Sequence, residues 1–190
     1  MLFPSTAPNT SVLRKVLAID AQYAERIARD RDLPYFPVRG LRELMSRDGG
    51  VDVIETLYPV IQRVPEDDSP EAVATVIHQV EQKRFALEMA GARVLICPAK
   101  RSGANGFKQS DDQRLMITTL STCLRLRPDF LTFVGADGDY APMLWELREA
   151  GVRSEIVASA NALASDLRRV AYGVIDLETV LTTIREEHLL

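Results

Sequence analysis

Histidine and cysteine are scarce in this chain. Only His78, His188, Cys97 and Cys123 occur among its 190 residues. The histidines are too far apart for an HExxH helix and the cysteines make no CxxC, which excludes zinc-hydrolase and zinc-finger chemistry. Two cysteines cannot staple a chain of this length, and free thiols suit a reducing compartment, so a cytoplasmic location is expected. Long apolar runs are missing too. No stretch approaches the roughly 18 residues that a membrane span requires, and the opening MLFPSTAPNT has neither the basic start nor the apolar stretch of a secretory signal. Neither export by such a signal nor a membrane partner is expected. Positive charge is not in excess, and a formal net charge of −4 gives no global attraction to polyanions.

What remains is the composition of an ordinary globular protein, 46% hydrophobic and 26% charged, with a length typical of one domain. Residues 1–12 are expected to be a flexible tail and residues 13–190 a single domain. Short apolar runs alternate with helical patterns, the signature of an α/β domain with a mostly parallel sheet. The first run, residues 16–19, ends at Asp20. A second extended segment is expected within residues 57–64, where Pro59 favours an edge or a strand start. A helix-like stretch covers residues 41–46, and a long helix covers 71–90 until Gly91 stops it. Residues 93–97 read as a buried strand, and PAKRSGANG, residues 98–106, as a basic loop. Ser110 opens a helix with Leu115, Met116, Leu120, Cys123 and Leu124 on one face, ending near Pro128. A strand at 130–134, Asp137-Gly138-Asp139, a helix C-capped by Gly151, a strand at 152–157, a helix at 160–170, a strand at 174–175 and a last helix from about 178 complete the pattern. The single Trp145 reads as packing or a contact surface.

The acids carry the chemical signal. In open α/β sheets ligands bind outside the carboxyl ends of the strands. Asp20 follows one strand, Asp137 and Asp139 closely follow another, and Asp111-Asp112 opens the helix after a third. Carboxylates without histidine or thiolate partners make a hard oxygen site, suited to Mg²⁺ or Mn²⁺ that retain water and bind phosphate. The chemistry that needs such a site is metal-assisted phosphoryl transfer or phosphodiester hydrolysis. Each acid also has a structural reading: Ser110 to Gln113 fits a capping box with Asp111 and Asp112 at the positive helix end, and Asp137-Gly138 fits a turn. If the acids converge, mutual repulsion should raise at least one carboxyl pKa, an effect expected to be felt at Asp137.

The string FVGADGDYAPML, residues 133–144, continued by LREAG, residues 147–151, resembles the "SGDSDF" strand, turn and helix of NYN-domain proteins, the LabA-like branch of the PIN-like nucleases. Lys108 to Ile117 resembles that family's helix opening with a lysine and an acid, with Asp112 in register, and VLAID, residues 16–20, resembles its first strand and acid. The likeness runs from about Leu13 to Glu178. It implies a three-layer PIN-like αβα sandwich, Mg²⁺ or Mn²⁺ dependence, and cleavage of RNA by metal-activated water. Three places depart from the family pattern: Tyr23 stands for its usual Asn, Thr118 for a further acid, and Ala171-Tyr172 for Ala-Asp before the last strand.

Together these readings give a metal-dependent ribonuclease with Asp20, Asp112 and Asp137 as principal ligands and Asp111 and Asp139 as additional or supporting ones. Asp20, Asp112, Asp137 and Asp139 are the candidate catalytic set. Tyr23, Lys100, Arg101, Lys108 and Arg114 are candidate RNA contacts, Tyr23 by stacking and the cations by holding the backbone. A noncatalytic regulatory or interaction domain of the same fold is the alternative that Tyr23 and Thr118 motivate. RNA is the expected partner, and a homodimer stays open.

Overall fold

Four consecutive apolar residues at 16–19 leave no polar face, so this strand needs cover on both sides, which the centre of a parallel sheet provides. In the computed structural model β1 (Leu13–Ile19) is central, and Val16, Leu17, Ala18 and Ile19 are fully buried. The structure describes residues 12–47, 50–65, 69–102, 106–108 and 110–187, with the backbone alone at 100–102 and 106–108. The other main strands are β2 (Val51–Gln62), β3 (Arg93–Pro98), β6 (Phe130–Val134), β7 (Arg153–Ala158) and β8 (Gly173–Asp176). They form one six-stranded sheet in the order β3-β2-β1-β6-β7-β8, and every pair is parallel.

Helices cover both faces, giving a three-layer α/β sandwich. Ion pairs tie the C-cap of α1 (Ala21–Asp30), Arg31, to Glu178 of α7 (Leu177–Glu186), and Glu25 of α1 to Lys83 of α3 (Pro70–Met89). Helix α2 (Val38–Ser46) packs against α7. On the other side α4 (Asp111–Leu126) packs on α5 (Ala141–Glu149), and α5 on α6 (Ser165–Val170). Among the described residues no helix is long and apolar enough to cross a membrane.

The strand order reverses between β1 and β6. The chain winds outward from β1 to β3, then returns to the middle and winds the other way through β6, β7 and β8. Such a switch point opens a crevice at the carboxyl ends of the two central strands. Asp20 follows β1 there and Asp137 follows β6.

Several local expectations need correction. The second strand begins at Val51, six positions ahead of the expected segment, and Pro59 lies inside an interior strand. Its register explains this: residues 51–57 pair with β1, whereas residues 58–62 pair with β3 only, so at Pro59 one side is locally an edge. Part of the basic loop is a hairpin of β4 (Lys100–Ser102) and β5 (Gly106–Lys108), while residues 103–105 and 109 lie outside the described residues. Helix α1 follows Asp20 directly, where the sequence raised no expectation. Ser110 makes no side-chain cap bond, so the capping box does not form. Leu124 is exposed while Thr119 and Thr122 are buried, and Arg127 ends α4 in a left-handed turn at φ 48°. The expected helix at 160–170 is confined to α6.

Near the amino ends of the strands, Lys15 Nζ meets Glu155 Oε2 at 2.8 Å with little exposure on either side, and Thr132 Oγ1 donates to the same oxygen at 3.0 Å. Removing one partner of such a pair strands the other charge. Lys15→Met is expected to cost about 2 kcal/mol in urea denaturation, below the full penalty of a buried pair because Glu155 keeps some solvent. Adding Glu155→Met should recover most of the loss.

Candidate functional site

Asp20 caps α1, with Tyr23 N–H donating to its Oδ1 at 3.1 Å, so its carboxylate is fixed at the carboxyl end of β1. Its own N–H donates to Val134 O at 2.9 Å, which holds it against the end of β6. Asp137 leaves β6 through Gly135 and Ala136 and caps a short 3-10 turn at residues 138–140, accepting from Asp139 N–H at 3.0 Å. Asp112 sits in the first turn of α4, where Tyr140 Oη donates to its Oδ1 at 2.7 Å. Three carboxylates from three elements thus line one cavity of about 410 Å³, together with Gln22, Tyr23, Arg26, Ala136 and Ala162.

The electrostatics follow from this crowding. Asp20 is 7% exposed, and its pKa rises from 3.8 to about 6. Burial is the main cause; the Tyr23 N–H opposes it, and the charges of Asp112 and Asp111 add to it. The Asp112 carboxyl is also pushed up, first by burial, against the Tyr140 hydrogen bond, and then by Asp111, Asp137 and Asp139. Mutual repulsion is therefore present as expected from the sequence, but it falls on the buried Asp20 and the half-buried Asp112, while Asp137 is exposed.

The remaining candidates divide. Asp111 is 1% exposed and turned to Gln22, whose Nε2 donates to its Oδ2 at 2.9 Å, outside the residues that line the cavity. Asp139 is exposed beside Asp137 and also does not line it. Tyr23 does, yet its ring is 4% exposed and covered by the Arg26 guanidinium at 5.2 Å, and its Oη accepts from Ser159 N–H at 2.9 Å. The phenol braces α1 against the end of β7 and offers no open face to a base. Arg114 is exposed on α4 outside the cavity wall; the side chains of Lys100, Arg101 and Lys108 lie outside the described residues. Gln22, Arg26 and Tyr140 were not singled out from the sequence. The aromatic after Asp139 gave a faint signal, since "SGDSDF" ends in Phe and this chain has Tyr.

Tyr23→Phe should leave the Ser159 N–H without its partner at a cost of about 1 kcal/mol, read as a fall of roughly 2–4 °C in melting temperature. RNA binding is expected to stay unchanged in a filter assay if the ring serves only as this brace.

The donor set suits a hard divalent cation in kind: carboxylates just after β1 and β6 and in the first turn of α4 line one cavity, and the raised proton affinity of Asp20 and Asp112 is the electrostatic demand that a cation meets. Asp112 and Asp111 each give one oxygen to a neighbour, and among the described residues no three His, Cys, Asp or Glu side chains converge as they stand on one ion position.

A family model described as NYN domain matches residues 14–178. No curated protein matches the chain. A crystal structure of a protein of unknown function from Vibrio parahaemolyticus superposes with a TM-score of 0.67 at 12% identity, covering 90% of this chain and 96% of that one. At that identity the likeness speaks to the fold.

Proposed function

Because this chain belongs to the NYN domain family, and so to the PIN-like nuclease superfamily, we propose that it is a metal-dependent endoribonuclease acting at the carboxylate cavity. The observation that carries the reading is the meeting of Asp20, Asp112 and Asp137 at the switch point between β1 and β6. These three would hold Mg²⁺ or Mn²⁺, with Asp139 next to Asp137 and Asp111 behind Asp112 as support. When bound, the ion supplies an activated water and neutralises charge on the scissile phosphate. The chain's own groups do the positioning. Tyr23 N–H fixes the Asp20 carboxylate, Tyr140 Oη fixes that of Asp112, and Arg26 places an exposed guanidinium at the rim, suited to a backbone phosphate.

The basic hairpin precedes α4 in the chain, Lys108 four residues and Arg101 and Lys100 eleven and twelve residues ahead of Asp112, and these cations, with Arg114, are proposed to hold RNA. Replacing Lys100 and Arg101 by Ala is expected to weaken RNA binding and flatten its salt dependence, with stability changing by no more than about 0.5 kcal/mol. Equal affinity at low salt would take the hairpin out of the substrate path.

The test of the reading is incubation of end-labelled single-stranded RNA with the natural chain and Mn²⁺ or Mg²⁺. Cleavage that stops with EDTA and leaves no 2′,3′-cyclic phosphate is expected, because water rather than the ribose 2′-hydroxyl attacks. The noncatalytic reading draws on the absence of a converged triad among the described residues; absence of cleavage with either ion would favour it.

A further inference from the structure

The third departure from the family pattern lies far from the carboxylates. Tyr172 precedes β8 and its N–H donates to Ser154 O at 2.8 Å, near the start of β7, so it belongs to the amino ends of the strands. With β7 six residues long, about 20 Å of strand separates this pole from the crevice.

A cleft of about 420 Å³ opens here between the α5–β7 turn and the α6–β8 turn, walled by Arg148, Arg153, Ser154 and Tyr172. The Arg153 guanidinium lies against Phe130 at 4.7 Å and Tyr172 at 5.6 Å, two rings that meet edge to face at 5.9 Å, and that of Arg148 lies over Trp145 at 5.0 Å. Both guanidinium faces are thereby oriented, yet neither group donates a side-chain hydrogen bond or forms an ion pair among the described residues. Their N–H edges remain for an anion. Arg148 lies in the last turn of α5, where the helix dipole alone favours a cation; Arg153, on a strand, has no such reason. Tyr172 and Trp145 expose 66% and 52% of their surface. An aspartate at 172 would have put a carboxylate beside Arg153; the tyrosine leaves the cation unpaired and adds a ring.

We propose that this cleft binds a segment of single-stranded nucleic acid, with phosphates on Arg148 and Arg153 and bases on the rings of Tyr172 and Trp145. Two unpaired guanidiniums beside two exposed aromatics match how single strands are held, and nothing in the site selects a sequence. The binding does not depend on cleavage at the carboxylate cavity.

Trp145 is the only tryptophan and its ring lies against Arg148 of the cleft wall, so its fluorescence reports on binding at that edge of the cleft. The natural chain is titrated in EDTA with a short oligoadenylate and, separately, with adenosine monophosphate. Saturable quenching by the oligonucleotide is expected, at least about tenfold tighter than by the mononucleotide, as stacking of successive bases requires. The Arg148→Gln, Arg153→Gln double variant should lose about tenfold in affinity and reduce the salt slope by about 1.4. Tyr172→Asp, at an exposed position that tolerates the change, should abolish binding while the thermal melt stays put. Absence of saturable quenching, unchanged affinity in both variants, or equally tight binding of the mononucleotide would overturn the proposal. Since cations are chelated throughout, a failure of the nuclease reading leaves these outcomes intact.

Discussion

Asp20→Asn is expected to melt higher than the natural chain in EDTA above about pH 7, and to cleave RNA at less than about one hundredth of its rate in Mn²⁺. The stability sign follows from the carboxyl group's preference for a proton in the folded state. Its pKa lies near 3.8 when exposed and about 6 in the fold, so Asp20 costs nothing below 3.8. Its cost grows as pH rises through about 6 and is constant beyond. The difference corresponds to about 3 kcal/mol at most. Asparagine keeps an oxygen for Tyr23 N–H, so the α1 cap survives while the charge is removed. The melting-temperature gap between variant and natural chain should therefore open between these two pH values. A variant that melts lower at every pH would mean that Asp20 is held mainly as a cap. A variant that melts higher and still cleaves would remove Asp20 from the catalytic set.

Gly135→Ala is expected to destabilise the fold by about 3 kcal/mol, at the severe end of overpacking, and to reduce metal affinity with it. A Cβ at Gly135 would stand 2.6 Å from the Phe133 ring and 3.2 Å from Asp20 Cβ. Phe133 cannot yield, because it is fully buried with Tyr140 against it at 4.6 Å between ring centroids. The displacement would be passed on to Asp20 on one side and, through Tyr140, to Asp112 on the other. Denaturant titration and a Mn²⁺ titration on the same protein check both effects. A fully stable Gly135→Ala would contradict this packing. By contrast Gly151, with φ 84° and nothing within 4 Å of an added Cβ, would meet backbone strain alone.

The sheet was legible where an apolar run leaves a mark in the sequence. Residues 16–19, 93–97 and 130–134 have no polar alternation, and all three are strands of the parallel sheet, although β3 lies at its edge with Arg93 exposed and Val94 and Ile96 half-buried, so it is less buried than its run suggested. Gly91 and Gly151 were legible because positive φ is costly for other residues, and both adopt it. Pro59 misled, since proline reports the loss of one ladder bond but not that β1 has already ended beside it. Ser110 misled in another way. Its spacing to Gln113 suits a capping box, while the first turn of α4 is committed to Asp112 on Tyr140 and Asp111 on Gln22.

Within the site, the acids announced themselves by following strands, and the topology brings Asp20, Asp112 and Asp137 to one cavity. Their partners did not. Tyr140 and Asp112 are 28 positions apart, and Gln22 and Asp111 are 89 apart, so no local period connects them. Tyr23 was visible as a departure from the family, but its commitment to Ser159, 136 residues away, was not. For Tyr172 the sequence signalled the substitution and only the fold revealed that it faces away from the carboxylates.

The most direct test of the shared carboxylate site is calorimetric titration of the metal-free chain with Mn²⁺, set beside Asp112→Asn and the triple variant Asp20→Asn, Asp112→Asn, Asp137→Asn. Saturable binding is predicted for the natural chain, weakened more than about tenfold in Asp112→Asn and lost in the triple variant. No heat of binding at millimolar Mn²⁺, or equal affinity in the triple variant, would contradict the claim that these three carboxylates hold a cation between them.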